Sequence, residues 1–271
     1  MKHIGNNFKN VTFQTSTDGQ NWTDYTYETN ITLAKTDDKT DKVYFRAKAD
    51  NTSIVRNSAN CLQFTTTQNA KKVNVSGNVM SLLAPEFGQM RSVGAYCFYR
   101  LFFNCKNISD CSSTTLPATA LADRCYSSMF QNCFSLSAAP ALPATALASS
   151  CYSGMFYSCS LLTQAPELPA TQLANYCYDN MFNGCTSLTQ APALPATTLA
   201  DHCYNGMFQH CSSLTTAPQL PATTLANSCY SNMFNGCTKF TDCHMKVSMS
   251  TVYLVSLHGD TTKTVKFDLL G

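Results

Sequence analysis

A 26-residue motif repeats five times in this chain and constrains its fold more than any other feature. The copies begin at Cys125, Cys151, Cys177, Cys203 and Cys229, with no insertion between them. The first four read Cys-Tyr-x-x-Met-Phe-x-x-Cys-x-x-Leu and continue with Ala-Pro-x-Leu-Pro-Ala-Thr. A fixed period of this length predicts a solenoid, in which each repeat buries its apolar residues only against its neighbours.

The repeat array has irregular ends. Residues 84–115 match the motif at Cys97, Phe98, Leu101, Phe102 and Cys105, so they form a degenerate first repeat before the regular repeats of 116–241. We assign residues 76–243 to the solenoid. Beyond it, Val252, Leu254 and the run 264–267 alternate around a His-Gly-Asp turn, which predicts a C-terminal β-hairpin cap over 244–271.

Residues 1–75 have a different pattern. Short alternating segments such as 42–49 are separated by runs of turn-forming residues such as 17–21. Alternation with a period of two is typical of half-buried strands. We therefore expect a small β-sandwich-like or β-cap domain before the solenoid.

The apolar spacing within a repeat predicts a helix followed by a short strand. In the fourth copy two sets recur every four residues: Leu199, Cys203, Met207 and Cys211, and then Ala200, Tyr204 and Phe208. Such stripes form the apolar face of a helix. The segment 214–217 is too short for a second helix, and the prolines that follow limit it to a short strand. The expected fold class is an α/β solenoid of helix-plus-strand repeats.

The run Met-Phe-x-x-Cys-x-x-Leu resembles the 26-residue bacterial surface protein repeat, the BspA-like division of the leucine-rich repeats. The resemblance covers roughly residues 84–243. It implies a right-handed coil of the leucine-rich-repeat type, exposure at the cell surface, and adhesive or protein-binding roles. It implies no catalytic residues.

The paired cysteines of the repeats are expected to be buried, reduced thiols that pack as small hydrophobic groups. Two residues eight apart on a helix are too distant for a disulfide, so bridges within a repeat are not expected. Disulfides between repeats, or with Cys61, Cys111 or Cys243, are the alternative. The core cysteines are Cys125, Cys133, Cys151, Cys159, Cys177, Cys185, Cys203, Cys211, Cys229 and Cys237.

Composition argues against several classes of function. The formal net charge is +2, and 116–241 holds few charged residues, so a nucleic-acid partner is not expected. No catalytic motif occurs, the cysteine spacing is not a zinc pattern, and no apolar run is long enough to span a bilayer. We expect no enzyme, cofactor, metal or transmembrane segment.

Recognition must therefore come from the positions that vary between copies. On the predicted strand face these are Thr163, Gln164, Glu167, Thr189, Gln190, Thr215, Thr216 and Gln219. The N-terminal aromatics Trp22, Tyr25, Tyr27 and Tyr44 offer an alternative, a platform for a glycan.

The sequence as a whole favours a monomeric, non-enzymatic bacterial protein that binds a protein or an extracellular-matrix ligand through its solenoid. The alternatives are a spacer with no ligand of its own and a glycan-binding module in the N-terminal domain. We expect the protein at the cell surface or outside the cell, with an export signal preceding Met1. A cytoplasmic location is the other possibility, since the first residues lack the apolar stretch of a signal peptide.

Overall fold

The computed structural model describes residues 2–4, 12–25, 42–51, 61–65, 72–239, 242–248 and 264–270. None of these residues forms an α-helix. The described elements are eleven short strands and one 3-10 turn at Val79–Leu82. Most of the array, from residue 94 to residue 239, consists of turns and irregular segments that stack one repeat on the next.

The N-terminal region forms small antiparallel sheets. Strands β2 (Phe13–Ser16), β3 (Thr23–Tyr25) and β4 (Tyr44–Ala47) form one sheet in the order β3-β2-β4. Strand β1 (Lys2–Ile4) pairs with β5 (Cys61–Gln63). Phe13 and Leu62 from these sheets belong to the same buried cluster as the repeats, so the hydrophobic core is continuous from the N-terminal region to Cys237.

The first stacked pairs of strands lie where the solenoid begins. Strand β6 (Val73–Asn74) pairs in parallel with β8 (Ile108–Asp110), and β7 (Gly77–Asn78) pairs in parallel with β9 (Thr114–Thr115). Parallel pairing is what successive coils of a solenoid produce, because the chain crosses each face in the same direction every time. The segment 73–78 therefore lies beside the degenerate repeat as a preceding coil.

Each regular repeat is one coil of the stack, which we call a rung. In the fourth rung the segment 200–211 is a chain of overlapping four-residue turns. The amides of Cys203, Asn205, Met207, Gln209 and Cys211 donate to the carbonyl three residues earlier, over 3.0–3.2 Å. Every second amide is used in this way, and each bond closes one turn.

The intervening amides join the rungs together. His202, Tyr204, Gly206, Phe208 and His210 donate to carbonyls of the following rung, over 2.7–3.0 Å. The backbone of this segment is therefore fully hydrogen-bonded, half within the rung and half to its neighbour, as a buried backbone requires.

The predicted helix is wrong, and the backbone angles show why. Every fourth residue of the segment has a positive φ, for example His202 at 55°, Gly206 at 58° and His210 at 60°. An α-helix requires φ near −63° at every position. A positive φ at the second central residue is instead the mark of a type II turn. The expectation that the two cysteines of a repeat are too distant for a disulfide depended on this helix. It therefore loses its premise.

The period of four residues belongs to the turns. A helix advances about 100° per residue, so Leu199 and Cys211 would lie about 120° apart on its surface. In the structure Leu199 is partly buried and Cys211 is fully buried. Between them, two pairs of side chains that point into the core are separated by residues whose side chains do not. Cys203 and Tyr204 point into the core, as do Met207 and Phe208.

The buried side chains stack into continuous columns along the array. Neighbouring rings in each column lie 5.3–5.9 Å apart, nearly parallel. One column contains Phe98, Tyr126, Tyr152, Tyr178, Tyr204 and Tyr230, and the other contains Phe102, Phe130, Phe156, Phe182, Phe208 and Phe234. Because identical rings meet at each of the regular rungs, one packing solution serves that part of the array.

The proline-rich side of each rung is less regular than predicted. The strand expected at 214–217 is reduced to one parallel bridge between Gln190 and Thr216. Similar single bridges join Ala120 to Ala146 and Gln172 to Thr198. Proline has no amide to donate, so the two prolines on this side of each rung interrupt the ladder.

The described C-terminal segment contains two paired strands. Strands β10 (Asp242–Ser248) and β11 (Thr264–Leu270) pair in parallel, in register from Asp242 with Thr264 to Ser248 with Leu270. This parallel pairing is distinct from the hairpin predicted between 252–254 and 264–267, which stays a prediction. Val252 and Leu254 lie outside the described residues.

Candidate functional surface

The eight positions expected to face a ligand are all exposed. They align in three rows along the array, because residues 26 apart occupy the same place on successive rungs. Thr163, Thr189 and Thr215 form the first row. Gln164, Gln190 and Thr216 form the second, and Glu167 and Gln219 belong to the third. We call these eight residues the Thr/Gln face.

A second exposed row consists of threonine alone. Thr119, Thr145, Thr171, Thr197 and Thr223 are all exposed and identical in successive rungs. A shallow cleft of about 340 Å³ lies between two of these rungs, lined by 145–147 and 171–173. No backbone hydrogen bond joins these two described segments, whereas the Thr145 and Ala146 amides both donate to Thr119 on the other side.

The repeat cysteines lie inside the array. Fourteen cysteines have described side chains; all of them are buried, and they include all ten of the core set. In the second column of cysteines each thiol donates to a phenylalanine carbonyl of the preceding rung, as from Cys159 Sγ to Phe130 O at 3.2 Å. Cys133, Cys185, Cys211 and Cys237 make the same bond.

Burial keeps these thiols protonated. Desolvation raises the pKa of Cys151 and of Cys203 to about 12, and it raises the pKa of Cys125 and Cys177 well above the usual value. A cysteine acts as a nucleophile or metal ligand only as the thiolate. Among the described residues, no group of three or more His, Cys, Asp and Glu side chains is placed to hold a metal ion.

The N-terminal aromatics do not form one exposed platform. Tyr25 is buried and packs edge-on against Phe45, with ring centroids 5.8 Å apart. The guanidinium of Arg46 covers one face of Trp22 at 3.9 Å. Tyr44 is 39% exposed, and Tyr27 lies outside the described residues.

A cluster of arginines and aromatics on the degenerate repeat was missed by sequence reasoning. Arg100 lies over the rings of Tyr99 and Phe103, at 5.0 and 4.8 Å, and Arg124 lies over Tyr96 at 5.8 Å. The sequence contains a signal for this cluster, because the degenerate repeat departs from the regular motif at two of its residues. The places of Arg100 and Phe103 are taken in the next rung by Ser128 and Gln131.

Two further observations bear on function. In the part of the chain that the structure describes, no helix is long and apolar enough to cross a membrane. Comparison of the chain with protein-family models, with curated proteins and with solved structures finds no match. What the surface binds must therefore be inferred from its own residues and geometry.

Proposed function

We propose that the chain is a non-enzymatic binding protein of the BspA-like leucine-rich type, acting in adhesion or protein binding at the cell surface or outside the cell. The observation that carries the proposal is the Thr/Gln face, whose eight residues are exposed and aligned across three successive rungs. Seven of these side chains present neutral hydrogen-bonding groups and Glu167 adds one carboxylate, at a regular spacing on a rigid core. Solenoids commonly use such extended surfaces to bind partners.

The interior supports a scaffold rather than a catalyst. The repeated cysteines and tyrosines are buried, and their pKa values are raised by desolvation. A protonated thiol without solvent access cannot attack a substrate. The residues that most resemble catalytic groups are therefore engaged in packing.

Binding to matrix proteins tests the proposal. The full chain is passed over immobilised collagen, fibronectin, laminin and fibrinogen in a surface plasmon resonance panel. The test variant replaces one row of the Thr/Gln face with Gln164→Ala, Gln190→Ala and Thr216→Ala. The control variant removes exposed residues of the same kinds from the N-terminal sheet region, with Thr17→Ala and Gln20→Ala.

We expect the wild type and the control to bind at least one of these proteins and the row variant to lose most of that binding. Equal binding by both variants would place the contact elsewhere and contradict the role of the Thr/Gln face. A wild type that binds none of the four proteins would favour a spacer with no ligand.

A further inference from the structure

We propose that the arginine–aromatic cluster is a binding site for a short acidic peptide segment of a protein partner. The cluster consists of Tyr96, Tyr99, Arg100, Phe103 and Arg124. The inference rests on the proposed protein-binding function, but it concerns a different surface from the Thr/Gln face.

The two arginines are held in one continuous cluster by ring contacts. Tyr96 and Tyr99 meet edge to face, with ring centroids 5.6 Å apart. Arg124 covers the first ring, and Arg100 lies against the second and against Phe103. Rings that fix the plane of a guanidinium reduce the entropy it loses when it binds a carboxylate.

The backbone also holds both arginines in place. Arg100 and Arg124 have φ values of 57° and 53°, so both occupy left-handed turn positions, with Arg124 exposed and Arg100 partly buried. The Tyr96 amide donates to Asp123 O at 2.9 Å, and the Arg100 amide donates to Ser127 O at 3.1 Å. Two adjacent rungs thus present the guanidinium groups from a rigid surface.

Among the residues that the structure describes, no acidic side chain forms an ion pair with either arginine. The single ion pair among the described residues joins Lys48 to Asp24, far along the chain from the cluster. The nearest carboxylate in sequence, Asp123, accepts the Ser149 amide at 3.2 Å. The Arg100 Nε is buried and has no acceptor in the described part of the chain. A guanidinium matches a carboxylate with two parallel hydrogen bonds, so an acidic side chain is the partner that this pair fits.

The number of positive charges favours a peptide over a polyanion. Nucleic acids and sulfated polysaccharides bind along extended basic tracks that neutralise many charges. Besides the cluster, the degenerate repeat carries only Arg91 and Lys106 as basic residues, and the rungs that follow carry Glu167, Asp179 and Asp201 but no lysine or arginine before Lys239. Two guanidinium groups suffice for two neighbouring carboxylates and not for a charged polymer.

Fluorescence anisotropy with a labelled hexaglutamate peptide tests the site on the full chain. Arg124 is exposed, so Arg124→Gln removes one guanidinium without disturbing the core, and Arg100→Gln combined with it removes both. Lys239→Gln is the matched control, because it removes the same charge from an exposed residue at the other end of the array. A heparin-derived hexasaccharide and inorganic phosphate serve as competing probes.

We expect Arg124→Gln to weaken peptide binding about tenfold, the loss of one charge-assisted pair of hydrogen bonds. The double variant should bind more weakly still, and Lys239→Gln should change the affinity less than twofold. Equal losses for Arg124→Gln and Lys239→Gln would overturn the proposal, and so would a wild type that binds the hexasaccharide but not the peptide. Either result would leave matrix binding through the Thr/Gln face unaffected, so the two proposals fail separately.

Discussion

The ring of Phe64 stacks on the ring of Phe102, with centroids 5.3 Å apart and planes 22° apart. The Phe64 amide donates to Leu101 O at 2.7 Å, and Cys105 Sγ donates to Phe64 O at 3.2 Å. The same two bonds join Phe102 to the next rung, through Met129 O and Cys133 Sγ. The segment 61–64 therefore takes the place of a rung and covers the open end of the array.

Removing this covering ring should destabilise the whole array. Phe64 is partly buried, and Phe64→Ala leaves a cavity above Phe102, so we expect a loss of about 2 kcal/mol in the free energy of unfolding. Urea denaturation measures it. Leu161→Ala, at a side chain that is 45% exposed, serves as the control and should change stability by less than about 0.5 kcal/mol. Equal midpoints for the two variants would show that Phe64 does not act as a rung.

Gly184 should tolerate an added Cβ poorly, although other rungs carry larger residues at the equivalent turn position. Gly184 has φ of 77°, and an added Cβ would lie 3.2 Å from Ser158 Oγ and 3.4 Å from Ser158 Cα. We expect Gly184→Ala to cost about 1–2 kcal/mol, since an L-residue is strained in this region. Gly88→Ala is the control, because its Cβ would meet nothing within 4 Å. A neutral Gly184→Ala in urea denaturation would argue against the turn geometry.

The tyrosine column contains hydroxyls that contribute little to stability. The Tyr152 hydroxyl is buried and has no hydrogen-bond partner among the described residues. Because an unpaired buried hydroxyl carries a desolvation cost, Tyr152→Phe should leave the melting temperature unchanged or raise it. Tyr152→Ala, which removes the ring from the column, should cost about 3–5 kcal/mol. A Tyr152→Phe variant that melts well below the wild type would contradict this view.

The buried thiols should make stability depend on pH in the alkaline range. Cys151 and Cys203 have pKa values of about 12 in the folded protein, against 9.0 for an ordinary thiol. Between these values the unfolded chain loses protons that the native protein keeps, so the free energy of unfolding falls as the pH rises above 9. Below pH 9 the contribution of these thiols to the free energy of unfolding is constant. Urea midpoints at pH 7, 8, 9 and 10 measure the effect.

Thiol labelling measures the burial of the cysteines directly. Ellman's reagent at pH 8 should modify few cysteines of the native protein and all 15 in guanidinium chloride. A variant with Cys151→Ala and Cys203→Ala should have a shallower alkaline loss of stability. Rapid labelling of most native thiols, or a urea midpoint that stays constant to pH 10, would show that the cysteine columns are accessible.

The sequence predicted the stacking of the repeats but not their local structure. Cys203, Tyr204, Met207 and Phe208 belong to the two stripes of the predicted apolar face, and all four are buried. These stripes predicted a helix because their period of four residues is close to the 3.6 residues of one helical turn. A strict period of four over twelve residues fits repeated turns better than a helix, and Gly206 at a turn position was a further signal.

The Thr/Gln face could be located from the sequence because residues that vary between copies of a solenoid tend to lie outside its core. The arginine–aromatic cluster could not be located in this way. Its members come from a degenerate repeat and from the start of the next rung, and their proximity depends on how adjacent rungs align. The pairing of Tyr96 with Asp123, which places Arg124 over the Tyr96 ring, is a tertiary relationship.

The sequence by itself determined that identical residues stack, because a 26-residue period without insertions permits only one register between neighbours. Only the tertiary structure decided the backbone of each rung. Half of the amides in the turn segment find their acceptors 25 residues later, as from Tyr204 to Cys229 O. A local pattern cannot reveal such a partner, and without it the same apolar spacing fits a helix. The neighbouring rung supplies the hydrogen bonds that make a chain of turns stable.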